Sequence, residues 1–258
     1  MTVTKENYFA LETDKEYMSV SLFKSFIKCE AKTMAKLNGE WEEENKDAIL
    51  LGSYVHAWSE GTLEEFKKDH PEMYSTRGAT KGQLKAPFQI ADKMITTLKD
   101  DKLVQEAREG QKEVIQTAEL FGVPWKVMFD IYNPDRKAIV DIKTIRNIHS
   151  KFSGNENFII HYDYLLQMAV YCKIDRINRK AEDYFQPHII AVSREDIPDK
   201  AVIFLGTDFI RDKLLEVEML IDHIKAVWKG KEEPVRCEEC DYCRATKKLD
   251  KVLFYMDL

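Results

Sequence analysis

No apolar run in this sequence approaches the ~20 residues that span a bilayer, and no charged-then-apolar leader precedes residue 20. Neither a membrane-spanning nor a secreted protein is expected, and the chain reads as cytoplasmic. Net positive charge is also missing: 39 Lys and Arg stand against 45 Asp and Glu, a net charge of −6. No global basic field draws nucleic acid to this surface, so any contact with DNA has to come from a local groove. Cysteine is scarce and odd in number, five in 258 residues. Without a secretion signal, that argues for a reducing compartment and for metal binding over disulfides. No internal repeat and no low-complexity tract is visible. What is there is 44% hydrophobic and 33% charged, a globular profile with enough apolar material for a sizeable core. One domain over residues 1–258 is the expectation at this length.

The most informative stretch runs from Trp125 to Lys143. Two β-branched and aromatic runs flank Asn133-Pro134-Asp135-Arg136, which predicts a β-hairpin. Residues two apart on a strand share a face. Val127, Phe129 and Ile131 therefore fall on one face of the first strand and Asp130 on the other. On the second strand Ala138, Val140 and Ile142 share a face, and Ile139, Asp141 and Lys143 the opposite one. A four-residue loop, Pro134 to Lys137, would set Asp130 directly opposite Asp141. Two like charges on adjacent strands repel and call for a counter-ion. A hard divalent cation with oxygen ligands supplies one, and Mg²⁺ held by one or two carboxylates plus phosphate and water suits a phosphodiester substrate. Lys143 would then orient or deprotonate an attacking water. On spacing alone, an exposed hairpin whose Asp and Lys face solvent explains D-x-K equally well.

Upstream, Met18 to Leu37 reads as a helix with Ser19 or Ser21 as N-cap, Gly39 as its stop and Cys29 inside it. Glu40 to Asp47 reads as an acidic connector. A second helix through Ala48 to Trp58 carries Gly52, which permits close approach, and His56 one turn later on the same face. Thr62-Leu-Glu-Glu predicts a capping box, and Ser75 to Lys85 a basic, glycine-punctuated mobile loop. Ile90, Met94, Ile95 and Leu98 form a helical stripe. Glu113 to Ala118 reads as a strand that Phe121-Gly122 turns into the hairpin. Downstream, a helix through Tyr162 to Tyr171 places Gln167 and Tyr171 on one face. Strands at His188–Ser193 and Ala201–Gly206 precede an amphipathic helix, Asp208 to Trp228, with Leu214, Leu215, Val217, Leu220, Ile221 and Ile224. Mixed strands and crossing helices indicate an α/β, or α+β mixed, organisation.

Near the end, Cys237-x2-Cys240-x2-Cys243 has the spacing of three corners of a 4Fe–4S cubane. A single tetrahedral Zn²⁺ more often takes paired knuckles, which leaves it as the alternative. Cys29 is the best fourth ligand, whereas Cys172 reads as a structural thiol.

Asp130, Asp141 and Lys143 resemble the motif of the PD-(D/E)xK nuclease core in its RecB-type branch, with Phe129 where the motif name has Pro. His56 in Leu-Gly-Ser-Tyr-Val-His resembles the metal-binding helix histidine of that branch. Gln167 and Tyr171 resemble its Q-x3-Y pair, and Glu113 the additional acid on the preceding strand. The four cysteines resemble those of the iron–sulfur nucleases of the AddB type and of CRISPR adaptation, except that the last spacing is shorter here. The whole set is most similar to phage-borne RecE-like exonucleases. That resemblance implies a restriction-endonuclease-like core with a central mixed sheet flanked by helices. It implies Mg²⁺ or Mn²⁺ held by His56, Asp130, Asp141 and the Ile142 carbonyl, with Lys143 activating water and Gln167 and Tyr171 ordering the site. It also implies a cluster of Cys29, Cys237, Cys240 and Cys243 joining the two ends of the chain. The activity implied is 5′–3′ degradation of linear duplex DNA, leaving 3′ single strands for recombination by an annealing protein in a phage-bearing bacterial cytoplasm. Two rivals stay open: a single-strand DNA nuclease, and a non-catalytic DNA-binding or assembly module. Polarity and oligomeric state, a homo-oligomer included, stay open too.

Overall fold

A computed structural model describes residues 1–42, 46–249, 252, 254 and 256. Helices α1 (Leu11–Glu16), α2 (Val20–Lys28), α3 (Glu30–Leu37), α4 (Lys46–Glu60), α5 (Leu63–Asp69), α6 (Ala86–Lys99) and α7 (Lys102–Ala107) precede the sheet. Strands β1 (Gln111–Leu120), β2 (Val123–Asn133), β3 (Ala138–Ile145), β4 (Gln186–Ser193) and β5 (Lys200–Phe204) form one sheet in that spatial order. Only β3 and β4 pair in parallel. A parallel step needs a crossover, here α8 (Phe158–His161) and α9 (Tyr164–Arg179); α10 (Ile210–Trp228) and α11 (Asp241–Ala245) follow β5. The fold is thus mixed α/β, a central mixed sheet flanked by helices, as expected. No helix among the described residues is long and apolar enough to cross a membrane.

Turn chemistry sets the hairpins. Phe121 and Gly122 both take left-handed backbone, φ 52° and 66°, the geometry that two-residue hairpin turns require. The second turn is the expected Pro134–Lys137 loop; Asn133 Oδ1 accepts the Arg136 amide at 3.0 Å, and Ile131 pairs with Val140. Gly110, at φ 133°, is sterically required: a Cβ there would sit 2.6 Å from the Tyr132 carbonyl. Gly52 is not, because a Cβ would meet Thr144 Oγ1 at an ordinary 3.8 Å.

The sheet is covered on both faces. Phe23, Trp125, Phe129, Met168 and Val217 pack with α2, α9 and α10 on one side; Tyr54, Met94, Ile131, Ile142 and Ile190 pack with α4 and α6 on the other. Phe129 and Ile131 therefore part company, contrary to simple alternation. The irregularity lies beside Glu113, whose φ of 53° interrupts the β1–β2 ladder there.

Other local expectations are revised. Cys29 does not continue a helix; extended at φ −168°, it breaks the N-terminal helix into α2 and α3 and caps α3. Ser19 caps α2, accepting the Leu22 amide. Thr62 makes no capping bond, because its hydroxyl donates to the Ala57 carbonyl instead. Tyr162 ends α8, and Asp163, left-handed at φ 49°, starts α9. Leu215 and Leu220 face solvent on α10. The 75–85 segment is pinned by paired backbone bonds between Ser75 and Gln83 and Gly82. Of the Glu40–Asp47 connector, residues 43–45 lie outside the described residues.

Nothing in the sequence pattern announced how residues 1–17 pack. Lys126 on β2 is 1% exposed. Its ammonium lies 2.6 Å from Asp14, donates to the Tyr8 carbonyl and sits over the Tyr8 ring. A buried ammonium must be paired, so the N-terminal arm is held across the sheet. Breaking a buried pair costs about 3–5 kcal/mol. Because Asp14 keeps access to water, Lys126→Met should cost less, roughly 2–3 kcal/mol. Chemical denaturation should show that loss, with faster amide exchange over residues 8–17; unchanged exchange there would exclude this anchoring role.

Candidate active site

The site lies where β2 and β3 fork. Their ladder runs from Asn133–Ala138 to Ile131–Val140, and at the next residue a side chain takes over. Asp130 Oδ2 accepts the Ile142 amide at 2.6 Å. Continuing the register sets Asp130 opposite Asp141, as the four-residue loop predicts. On the other flank Lys112 pairs with Ile131 and Val114 with Phe129, so Glu113 faces Asp130. Three adjacent strands thus aim Glu113, Asp130 and Asp141 into one place, and all three are buried.

Helices bring the compensating groups. His56 on α4 places Nδ1 3.3 Å from Asp130 Oδ1. Gln167 on α9 donates to Asp141 Oδ1 at 2.7 Å, and Lys143 lies 2.8 Å from Asp141 Oδ2, over the Tyr164 ring. Tyr171, on the same face of α9 as Gln167, packs edge-on against Phe129 and lines the cavity. All the expected active-site side chains meet here. Ile142 enters through its amide; its side chain is in the core.

The electrostatics follow from burial and proximity. Burial would lower the His56 pKa, but the charge and hydrogen bond of Asp130 carry it up to about 9. Burial resists ionisation of Asp130 in turn, and His56 and Lys143 hold it below the usual carboxylate range. Burial raises Asp141 despite Lys143. Glu113 is pushed up to about 8 by burial, then by the charges of Asp130 and Glu60. Burial opposes the Lys143 charge, but Asp141 and Asp130 outweigh it and raise its pKa.

The donor set fits a divalent cation. One ligand atom each from His56, Glu113 and Asp130 falls within 4.8 Å of the others. Asp141 Oδ2 is a buried acceptor without a hydrogen bond, and the Lys143 ammonium 2.8 Å away is its ionic partner. Burying several carboxylates together is costly, and a cation offsets the cost. Glu113, rather than Asp141, completes the tight group with His56 and Asp130; Asp141 turns toward Lys143 and Gln167.

These groups line a cavity of about 640 Å³. Its wall includes residues that sequence reasoning missed. Glu60 follows His56 by one helical turn and lines the cavity with Glu113, whose pKa its charge helps to raise; the i, i+4 spacing was the available signal. Lys24 donates to the Tyr162 and Asp163 carbonyls, and burial pulls its pKa down to about 8. Tyr8 and Phe9 come from the N-terminal arm, and Phe9 is 77% exposed. Nothing local in the sequence marks Lys24, Tyr8 or Phe9.

A second group forms elsewhere. The Sγ atoms of Cys29, Cys237, Cys240 and Cys243 lie within 4.8 Å of one another. Cys172 is apart, buried against the Phe185 carbonyl.

Residues 19–246 match the family described as "PDDEXK-like domain of unknown function (DUF3799)". A crystal structure of a provisionally named exonuclease from Eubacterium rectale is 39% identical, covers 100% of this chain and 98% of its own, and superposes with a TM-score of 0.91. The structure of SSO0001 is 14% identical over 76% of this chain and 92% of its own, with a TM-score of 0.31, too low to carry an argument. No protein of curated function matches.

A cation bound only by the folded site stabilises it by about 2.7 kcal/mol at 100-fold its Kd. For a chain of this size that is a rise in Tm of roughly 5–10 °C. Mg²⁺ or Mn²⁺ should produce that rise in the wild type and not in Asp130→Asn. An equal rise in the variant would exclude this site.

Proposed function

Because the chain belongs to the PDDEXK-like domain family, we propose that it is a divalent-metal-dependent deoxyribonuclease. It acts as an exonuclease on linear duplex DNA, cutting 5′ to 3′ and leaving 3′ single strands for an annealing protein in phage-type recombination. One observation carries the nuclease reading: acids from three strands meet a histidine, a lysine and a glutamine at the β2–β3 fork, with a buried Asp141 oxygen lacking a hydrogen bond. The exonuclease reading is supported by the name of the Eubacterium rectale relative; the polarity and the recombination role rest on the motif resemblance.

His56, Asp130, Asp141 and the Ile142 carbonyl would hold Mg²⁺ or Mn²⁺, with Glu113 close enough to join them. The ion would supply a Lewis acid for the phosphodiester and lower the pKa of water. The chain's own groups do the remaining work. Lys143, paired with Asp141 at 2.8 Å, is held as an ammonium. It therefore donates: it orients the attacking water and neutralises charge developing on phosphate oxygens. Gln167 fixes the Asp141 carboxylate through Oδ1, while Oδ2 pairs with Lys143. Tyr171, packed edge-on against Phe129, lines the cavity beside it. With net charge −6, DNA has to be captured by the cations of this groove, Lys24 and Lys143 among them.

The test is a nuclease assay on end-labelled single- and double-stranded DNA with and without Mg²⁺. Asp130→Ala, Asp141→Ala and Lys143→Ala should each lower the rate by roughly 10²-fold or more without unfolding the protein. Their losses should not add, since the residues act as a unit. Wild-type rates in Lys143→Ala across a Mg²⁺ titration would refute the assignment. Preference for single strands would support the rival specificity.

Duplex affinity should fall with salt. Each neutralised phosphate adds roughly −0.9 to the slope of log affinity against log salt. A flat response would count against DNA as the substrate.

A further inference from the structure

The four cysteines lie outside the nuclease site, and their chemistry is separable from it. Cys29 sits at the elbow between α2 and α3. Cys237, Cys240 and Cys243 come from the C-terminal segment, with Cys240 as N-cap of α11. Cys29 Sγ lies 3.6 Å from Cys243 Sγ, and Cys237 Sγ lies 3.9 Å from Cys243 Sγ. All four sulfurs fall within 4.8 Å of one another.

Those separations discriminate between metals. Four thiolates at about 2.3 Å from one Zn²⁺, at tetrahedral corners, stand about 3.8 Å apart. Thiolates on the corners of a cubane have four irons and four sulfides between them and stand roughly 6 Å apart. The cage is too small for a cubane and matches a single ion.

The cage cannot open easily, because its two halves are pinned together beside it. The Ala31 amide donates to the Val235 carbonyl at 3.0 Å, and the Glu30 carboxylate accepts the Val235 amide at 2.8 Å. Arg236 donates to the Cys243 carbonyl, and Trp41 packs edge-on against Tyr242. Main-chain amides also point at the sulfurs: Lys32 at Cys29, Cys240 at Cys237 and Cys243 at Cys240, at 3.4, 3.4 and 3.5 Å. Such bonds spread the excess negative charge that four thiolates leave on one divalent ion. Cys240 serves in two overlapping knuckles, which is how C-x2-C-x2-C supplies three ligands to one ion.

We propose that Cys29, Cys237, Cys240 and Cys243 bind one Zn²⁺ in a closed tetrahedral site that locks the C-terminal segment onto the α2–α3 elbow. Four protein ligands leave no open position, so this site is structural and takes no substrate. The iron–sulfur expectation drawn from the cysteine spacing gives way to the size of the cage.

Metal analysis tests this without reference to nuclease activity. Protein purified with and without air should carry one zinc per chain, no iron and no acid-labile sulfide, and should be colourless. Exchange with Co²⁺ should give the intense visible bands of tetrahedral thiolate cobalt. Cys29→Ala should lose the zinc and melt at a lower temperature. Cys240→His, at a half-exposed position that keeps a ligand, should retain it, which guards against loss by misfolding. Cys172→Ala should retain it fully. Four irons and four sulfides per chain in the anaerobic protein would overturn the proposal, as would metal-free protein from both preparations or loss of zinc in Cys172→Ala. Each of these three results would leave the reading of the carboxylate site untouched.

Discussion

Repulsion between buried carboxylates is the constraint on which the rest of the structure depends. Two unit charges 4 Å apart interact by about 4 kcal/mol at an effective dielectric near 20, and Glu113, Asp130 and Asp141 add burial to that. A sheet built on this strand pair has to bring positive and donating groups to the fork. It does so from both faces: α4 delivers His56 and α9 delivers Gln167. The strands themselves contribute Lys143 and the Ile142 amide. The packing of two helices and the register of two strands are thus tied to one cluster of charges. Asp141 Oδ2 is compensated by the Lys143 ammonium alone, while His56, Glu113 and Asp130 form the tight donor group beside it.

The same strand carries both the candidate site and the core. Ile142 packs between α4 and α6 on one face, while Asp141 and Lys143 point to the other. Rigidity at the site therefore comes from burial of its neighbours, the condition under which fixed dipoles and charges stabilise a transition state. The N-terminal arm, anchored through Lys126, closes one wall of the cavity with Tyr8 and Phe9. The cysteine cage brings the C-terminal segment to the α2–α3 elbow. The N-terminal arm and the Cys237–Cys243 segment are thereby both docked near α2, which itself supplies Lys24 to the cavity.

Much of this was legible in the residues. The Pro134–Lys137 turn and strand alternation placed Asp130 opposite Asp141, because hairpin register follows from loop length and side-chain period. Spacing and residue type alone group the four cysteines. Where the reading failed, a local rule met a competing local interaction. Cys29 left its helix to cap the next one. Thr62 gave its hydroxyl to a carbonyl instead of an amide. Ile131 left the face it shared with Phe129 at the irregularity beside Glu113.

The sequence by itself determined the covalent pattern of the site: which acids, which lysine and which cysteines exist, and which of them share a strand face or a helix face. Those relations span a few residues, and backbone geometry enforces them. Only the tertiary structure decided which elements meet. Glu113 joining His56 and Asp130, Lys24 and the N-terminal arm closing the cavity, and the distance between the sulfurs of Cys29 and Cys243 all cross long stretches of chain. No local periodicity encodes such meetings; they follow from how buried surfaces and buried charges are satisfied together in the folded chain.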